Sequence, residues 1–287
     1  MRWEDLRRSG NVEDRRGMRV PGGAAGGGIG TVVIVLLVSW ITGVNPMTLF
    51  QIAGGLGDGA SAPVQQGPTG APTNDPQAEF AAVVLGDTED TWSRVFQESG
   101  QRYQPPTLVL FNDAVQSACG TNSAAVGPFY CPADQKVYID LTFFRELDQK
   151  FGAPGDFAQA YVIAHEVGHH LQTLLGVSEK VMQMRQRVSE ADANRLSVMQ
   201  ELQADCFAGV WGHHANRKSL LDAGDVEEGM QAAAAIGDDV MQRRAQGRVS
   251  PESWTHGSSE QRAEWLRRGL SQGTLEACDT FGQGSRR

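Results

Sequence analysis

The sequence predicts an α+β fold, in which a mostly helical domain with a small β-sheet follows one transmembrane helix. Two short runs of mainly β-branched, aliphatic and aromatic residues, 107–111 and 136–141, predict strands. The pattern at 79–99 suits a helix, and beyond residue 143 the chain is predominantly helical in character. Residues 29–50 are mostly apolar and supply the roughly 20 residues that a membrane-spanning helix needs, despite Pro46.

This layout divides the chain into four predicted parts: a cytoplasmic basic tail (1–28), a transmembrane anchor (29–50), a flexible Gly- and Pro-rich linker (51–76) and a folded domain (77–287). Up to residue 20 the tail carries six arginines against four acids. The positive-inside tendency then places the N-terminus in the cytoplasm and the domain outside it. A cleaved signal peptide, processed near residues 60–62, and a buried soluble helix are the alternatives, although that processing site lies far beyond the apolar stretch.

Composition narrows the range of partners and compartments. The 287-residue chain is 40% hydrophobic, which is enough for a real core. Its net charge is −9, and because the tail up to residue 20 carries +2, the residues from 21 onward carry −11. Such an acidic exterior argues against binding to nucleic acid or to anionic lipid. Four cysteines fit an oxidising compartment and allow three connectivities. We prefer Cys119–Cys131, which would close a short loop, with Cys206–Cys278, but the sequence does not choose among the three.

The most informative motif is Ala-His-Glu-Val-Gly-His at 164–169. On a helix, His165 and His169 are four residues apart and share one face, where both imidazoles can bind one Zn²⁺. Glu166 would then be placed to accept a proton from a metal-bound water. The motif therefore predicts a zinc site; a core helix that carries these residues by coincidence is the alternative.

The residues around the motif favour a buried helix. Residues 157–175 are largely apolar and are followed by Gly176, a plausible C-terminal stop. Asp156, with Gln159 three residues later, suggests a variant of the capping box. Charged and polar side chains avoid a core unless they are paired or bound to a metal, so the histidines and the glutamate stand out here.

A catalytic zinc site also needs a third protein ligand. The pattern with a third histidine six residues after His169 fails, because Leu175 occupies that position. Glu201 and Asp205 lie four residues apart and hence on one helical face. Glu201 would bind the metal, and Asp205 would accept the spare N–H of a zinc-bound histidine.

Other features of this helix bear on the choice of Glu201. Small residues at 204, 208, 209 and 212 would let it approach the first helix closely. Glu190 and Asp192 are rival ligands, but neither combines small neighbours with a second carboxylate four residues later. An ordinary acidic helix surface is the remaining alternative.

With these motifs together, the chain resembles the neutral zinc metallopeptidase family of bacterial membrane-anchored proteins. The matching segments run along nearly the whole chain: NVEDRR at 11–16, the apolar segment, GPFYCP at 127–132, HEVGHH at 165–170, QADC at 203–206 and THG at 255–257. The Glu-x-x-x-Asp element also resembles the wider thermolysin-like group, in which the Glu is a ligand and the Asp orients a ligand. The resemblance implies a reduced zincin-like fold, one Zn²⁺ per chain and a peptide or protein substrate, hence a metalloendopeptidase in the bacterial cell envelope.

Two further expectations follow from resemblance. In zincins an edge strand beside the metal helix pairs with an extended substrate, and residues 136–141 are our candidate, although a strand that only completes the core fits as well. The region from residue 255 distantly resembles CAAX-processing membrane peptidases, in which a His and a following Arg lie near the substrate. By that match His256 would donate a hydrogen bond to the oxyanion, and Arg262 would hold the loop or the acidic ligands. An exposed loop histidine and a solvated arginine are the alternative.

Two other functions stay open at this point. The same zinc scaffold could serve a non-catalytic envelope protein that binds a partner or assists assembly. A hydrolase acting on peptidoglycan peptides is a weaker possibility, since the sequence shows no obvious aromatic cluster for glycan binding. The sequence does not predict the oligomeric state.

Overall fold

The computed structural model describes residues 1–18, 67–70 and 74–282. These ranges contain eight α-helices and six strands, which confirms the α+β class with helices predominating. The strands are β1 (Val12–Asp14), β2 (Thr107–Phe111), β3 (Ala114–Ser117), β4 (Gly120–Ser123), β5 (Phe129–Cys131) and β6 (Lys136–Asp140). The helices are α1 (Pro76–Glu98), α2 (Thr142–Gln149), α3 (Asp156–Leu174), α4 (Val177–Arg185), α5 (Glu190–Arg217), α6 (Asp225–Ala235), α7 (Asp238–Gln246) and α8 (Ser259–Gln272).

Four of the strands form one sheet in the order β1-β2-β6-β5. The β1–β2 and β2–β6 pairs are parallel, and β5 runs antiparallel to β6. Strands β3 and β4 form a separate hairpin. Strand β6 therefore has a partner on each side, so the prediction that residues 136–141 form a substrate-binding edge is wrong. The edge next to β6 is β5, a three-residue strand that the sequence analysis did not predict.

The N-terminal residues belong to the folded body. Strand β1 pairs with β2 over three residues, and the α-amino group of Met1 lies 2.8 Å from Asp156 Oδ1. Residues 67–70 lie beside β1, with the Asp14 N–H donating to Pro68 O at 3.0 Å. The predicted division places residues 1–28 and the domain on opposite sides of a membrane. Paired strands lie on one side of any membrane, so wherever the domain lies, residues 12–14 lie with it.

Some helix termini follow local sequence signals and others do not. Helix α8 begins with the capping box of Ser258 and Gln261 and ends at Gly273 in the left-handed conformation. Helix α3 instead begins after Gly155 with no side-chain cap, so the predicted capping box is wrong. Asp156 points elsewhere because its carboxylate pairs with the Met1 amine.

The core lies between the sheet and the helices, with α5 packed against both α3 and α8. Large aromatic side chains fill it, among them Trp92, Phe157 and Trp211, which are at most 1% exposed. Both preferred disulfides are present, Cys119–Cys131 and Cys206–Cys278. The second joins α5 to the C-terminal segment.

No helix within the described ranges combines the length and apolar character needed to cross a bilayer. The predicted anchor at 29–50, and all of the predicted linker except residues 67–70 and 74–76, lie outside the described residues.

Candidate metal centre

Helices α3 and α5 approach closely at the predicted zinc motif. A Cβ atom added to Gly168 would lie only 2.9 Å from the backbone oxygen of Ala204, so only glycine fits at this contact. The contact confirms the expected close approach at Ala204. Gly209, predicted to face the same helix, faces α8 instead, where an added Cβ would lie 2.2 Å from Leu266 O. The close approach brings the histidines of α3 to the carboxylate of Glu201 on α5.

Three side chains converge as a metal site requires. His165 Nε2 lies 3.2 Å from Glu201 Oε2, and His169 Nε2 lies 3.4 Å from Glu201 Oε1. One ligand atom from each of the three residues lies within 4.8 Å of the others. Two imidazole nitrogens and one carboxylate oxygen form a typical protein ligand set for a catalytic zinc, which leaves the fourth position to water or substrate.

Hydrogen bonds at the far side of each imidazole select the tautomer that this set needs. His165 Nδ1 lies 2.8 Å from Asp205 Oδ1, and His169 Nδ1 lies 2.9 Å from Gln172 Oε1. A carboxylate oxygen only accepts, and so does an amide oxygen, so both Nδ1 atoms carry the hydrogen. Each Nε2 then faces Glu201, and a zinc ion that displaces the Nε2 proton would meet a lone pair on each ring.

Asp205 sits at the centre of a buried polar network. It is fully buried and accepts from the Tyr161 hydroxyl at 2.6 Å, as well as from His165. The guanidinium of Arg262, which is 2% exposed, donates to both oxygens of Asp205 at 2.9 and 3.0 Å and contacts the Tyr161 hydroxyl at 3.2 Å. The structure thus places Asp205 and Arg262 behind His165, away from the open side of the ligand set.

Glu166 is buried beside the two histidines and is 7% exposed. Among the described residues its carboxylate makes no hydrogen bond or ion pair. Burial raises the pKa of Glu166, while the neighbouring His169 and His165 oppose that shift. A carboxylate in this state is poised to accept a proton from a group bound between the histidines and Glu201.

The charge balance of the site also favours a dication. Glu166, Glu201 and Asp205 contribute three carboxylates, against which Arg262 supplies one permanent positive charge. Burial alone would raise the pKa of Glu201, but His169 and His165 hold it well below its ordinary value. Burial alone would lower the pKa of His165, but Asp205 and Glu201 raise it to about 10. The site therefore attracts positive charge, which a metal ion supplies in place of protons.

His256 lies in the loop before α8, where it is more exposed than the ligand set, at 54% of its side chain. Asp238 Oδ1 lies 3.2 Å from His256 Nδ1, and Oδ2 accepts from the backbone N–H groups of residues 255–257 at 2.6–3.0 Å. The hydrogen bond that His256 donates to Asp238 raises the pKa of His256, with a further contribution from the charge of Glu201. Among the described residues, His256 Nε2 has no hydrogen-bond partner, so it is available to a ligand.

Several residues of the site were absent from the sequence prediction. Tyr161 lies four residues before His165 and Gln172 three residues after His169, so helical spacing could have indicated both. Asp238 meets His256 through a loop, and no local pattern links them. The rival ligand Asp192 pairs instead with Arg195 at 3.1 Å, and Glu190 is exposed at the first turn of α5.

A cavity of about 490 Å³ lies along the first half of α5. Its walls include the apolar side chains of Val198, Met199, Leu202, Trp254 and Trp265. Leu202 directly follows Glu201, and a Cβ added at Gly257, next to His256, would lie 3.3 Å from both Leu202 and Val198. The cavity therefore borders the loop that carries His256.

Comparison with known proteins agrees with this site. Residues 1–281 match the family model described as "Putative neutral zinc metallopeptidase". The chain belongs to this family. The family's name supports zinc as the metal and a peptide or protein as the substrate class, which fits the donor set of His165, His169 and Glu201.

The relatives extend the match without adding a function. The uncharacterized protein YpfJ of Escherichia coli (strain K12) is 48% identical over 295 residues, covering 99% of each chain. The uncharacterized protein Rv2575 of Mycobacterium tuberculosis (strain ATCC 25618 / H37Rv) is 43% identical over 190 residues, covering 62% of this chain and 63% of its own. No solved structure matches the chain at a significant level.

Proposed function

We propose that this member of the zinc metallopeptidase family is a zinc-dependent endopeptidase with Glu166 as its general base. The observation that carries the proposal is the pairing of both Nδ1 atoms, with Asp205 and with Gln172, which directs both Nε2 atoms to Glu201. A zinc ion held by His165, His169 and Glu201 would polarise a carbonyl oxygen and lower the pKa of a bound water.

Glu166 performs the proton transfers in this proposal. Its carboxylate is buried and has no competing partner among the described residues, so it is free to take a proton from the attacking water. It then passes the proton to the nitrogen of the departing amine.

His256 stabilises the negative charge that develops on the carbonyl oxygen. Asp238 fixes the ring through Nδ1 and favours its protonated, donating form. The remaining N–H then points away from Asp238 and can donate to the oxyanion. Arg262 is buried behind Asp205 and acts by positioning, since it is out of reach of a substrate.

The substrate binds in an extended conformation along β5. This strand ends the sheet, so its outer edge is free of strand partners among the described residues, and it packs against α3. Main-chain pairing of this kind gives affinity with little sequence choice. The apolar cavity beside Leu202 adds selectivity by accepting a large apolar side chain of the substrate.

The domain acts outside the cytoplasm in this proposal, attached to the membrane by the segment at 29–50. A single crossing there would separate residues 1–18 from the domain on which they pack, so we propose an attachment that keeps both on the same side. Two disulfides within the described residues support an oxidising compartment. Residues 1–18 pack on the domain and share its compartment. A membrane-impermeant thiol reagent tests this placement. Single cysteines introduced at Asp5 and at Arg248 should both be labelled in intact cells, and absence of label at either position would contradict the placement.

The test of the reaction uses the full-length protein, zinc analysis and digestion of a peptide library. Glu166→Gln should retain one zinc per chain and lose hydrolysis, whereas His169→Ala should lose both zinc and hydrolysis. Full activity of Glu166→Gln would contradict the assignment of the base. Stoichiometric zinc with no cleavage of any peptide or unfolded protein would favour the non-catalytic scaffold instead.

A further inference from the structure

The two metal-binding imidazoles are supported in different ways. His165 contacts a buried carboxylate, Asp205, which Arg262 neutralises. His169 contacts a neutral amide, Gln172, at 2.9 Å. Gln172 is fully buried between α3 and α5, where an amide without a partner would be costly. The orientation of this amide therefore depends on its neighbours.

The amide group of Gln172 is fixed by contacts on both of its ends. Its oxygen accepts from His169, and its nitrogen donates to Gln200 O at 2.6 Å and to Gln203 Oε1 at 3.1 Å. A flipped amide would point N–H groups at the His169 N–H and its oxygen at two acceptors. Only one orientation satisfies all three neighbours, so Gln172 presents an acceptor to His169.

Gln203 continues the same directed chain. It is 7% exposed, its oxygen accepts from Gln172, and its nitrogen donates to the backbone oxygen of Cys278 at 3.0 Å. The hydrogen bonds thus run from His169 through two side-chain amides to a backbone carbonyl in the C-terminal segment. Each member has a defined direction because each partner can play only one role.

The far end of the chain is held by a disulfide. Cys278 is bonded to Cys206, which lies three residues after Gln203 on the same helix. The side chain of Thr280 adds a hydrogen bond from the C-terminal segment to Met199 O at 2.7 Å. The bridge therefore keeps the acceptor for Gln203 next to α5.

We propose that Gln172 and Gln203 are positioning residues for the second metal-binding imidazole, His169, and that the Cys206–Cys278 bridge holds the far end of their hydrogen-bond chain. The inference rests on the proposed zinc site at His165, His169 and Glu201. It gives the bridge a role in the metal site: reducing this one disulfide loosens the support of His169 and weakens the binding of zinc.

The first arm of the test measures zinc affinity by competition with a chromophoric chelator, using the full-length protein. Loss of a partner of this kind costs about 10- to 100-fold in metal affinity. We expect Gln172→Leu to bind zinc about 10- to 100-fold more weakly than the wild type. Gln172→Glu keeps an acceptor oxygen for His169 but turns its second oxygen toward two acceptors, so it should weaken zinc binding by less than Gln172→Leu does. Equal weakening in both variants, or none in Gln172→Leu, would overturn the positioning role.

Gln203 is tested against a matched control on the same segment. Gln203→Leu should weaken zinc binding, by less than Gln172→Leu does. Thr280→Val removes another hydrogen bond between the C-terminal segment and α5 without touching the chain, and it should leave the affinity unchanged. If Gln172→Leu does not fold, the double variant Gln172→Leu/Gln203→Leu replaces both partners by apolar groups and leaves fewer unpaired atoms. Wild-type affinity in that variant would also overturn the proposal.

The bridge is tested by comparing the two disulfides. Cys206→Ser/Cys278→Ser should weaken zinc binding and change the absorption spectrum of the cobalt-substituted protein, because one imidazole becomes less constrained. Cys119→Ser/Cys131→Ser removes the disulfide that takes no part in the hydrogen-bond chain. It should leave both the zinc affinity and the cobalt spectrum unchanged. Identical behaviour of the two pairs would refute the role of the bridge. A wild type that binds no zinc would instead disprove the underlying zinc site, and this outcome is visible before any variant is compared.

Discussion

Arg262 donates two hydrogen bonds to Asp205, from Nε at 2.9 Å and from Nη2 at 3.0 Å, and each goes to a different carboxylate oxygen. The pair joins α8 to α5, and both side chains are almost completely buried. A buried carboxylate with a fixed counterion stays ionised. Asp205 is therefore a strong hydrogen-bond acceptor that can orient His165. Helix α8 thereby supports a candidate metal site to which it contributes no ligand.

Removing the charge of Asp205 should weaken both the zinc site and the fold. Asp205→Asn leaves Arg262 buried without its counterion and weakens the acceptor for His165. We expect zinc affinity to fall about 10- to 100-fold and the free energy of unfolding to fall by about 3 kcal/mol. Chelator competition and denaturant titration measure the two effects.

Asp87→Asn is the matched control for Asp205→Asn. Asp87 is also buried, and it accepts from Trp211 Nε1 at 2.9 Å and pairs with Lys218, away from the metal site. This variant should lose stability and keep its zinc affinity. An equal loss of zinc affinity in both variants would show that instability alone explains the effect.

Gly168→Ala should push the two ligand-bearing helices apart. Alanine favours a helix by about 1 kcal/mol over glycine, yet here its Cβ would lie 2.9 Å from the Ala204 backbone. Backbone cannot move aside as a side chain can, so we expect lower stability and at least tenfold weaker zinc binding. At Gly212 the nearest atom to an added Cβ is the flexible end of Leu270, so Gly212→Ala should bind zinc normally. A stabilised Gly168→Ala variant with normal zinc affinity would contradict this account.

His256→Gln should slow the reaction without affecting the metal. Loss of one oxyanion donor costs about 100- to 1000-fold in kcat, and we expect a loss of this order with little change in KM or zinc content. Asp238→Asn should move the alkaline limb of the kcat profile to lower pH, because the carboxylate raises the pKa of His256. The control is His213→Gln. His213 contacts Leu270 O instead, so this variant should leave both kcat and its pH profile unchanged. Unchanged kcat in His256→Gln would remove this residue from the mechanism.

The ion pairs of Glu13 predict a pH-dependent attachment of the N-terminal strand. Burial alone would raise the pKa of Glu13, but Arg15, Lys136 and the Gly67 N–H lower it from 4.5 to about 2. A carboxyl whose pKa is lowered by folding stabilises the fold above its unfolded value. That contribution is present above pH 4.5 and is lost as the pH falls toward about 2.

Glu13→Gln should therefore destabilise the protein by on the order of 2–3 kcal/mol at pH 7 and by much less near pH 2. Denaturant titrations at several pH values measure the difference. The control is Glu146→Gln, which removes an exposed ion pair with Lys150 and should change stability by less than about 0.5 kcal/mol. A loss in Glu13→Gln that is independent of pH would argue against the ion pairs as its cause.

The parts of the site that sequence could predict are those set by helical spacing. The histidines and the pair of Glu201 and Asp205 are each four residues apart, and a helix turns such residues to one face whatever its surroundings. The convergence of the two helices was indicated by small residues, and Ala204 lies at that contact. Tyr161 lies four residues before His165 and Gln172 three residues after His169, so the same argument could have predicted both contacts.

Contacts between distant segments were beyond that argument. Strands β1 and β5 have only three residues each, too few to show an alternating pattern. Without β5, strand β6 looked like an edge, and without β1 the N-terminal residues looked like a tail. The amide chain from His169 to Cys278 likewise depends on which helix faces which, and that is settled by packing of the whole core.

Anomalous diffraction at the zinc absorption edge, on crystals of the full-length protein grown with zinc, tests the central claim most directly. The account predicts one zinc peak per chain, about 2.0–2.2 Å from His165 Nε2, from His169 Nε2 and from a Glu201 carboxylate oxygen, with Glu166 unbound beside it. A zinc peak elsewhere, or a site in which Glu201 stays bonded to the two histidines while no metal enters, would contradict it.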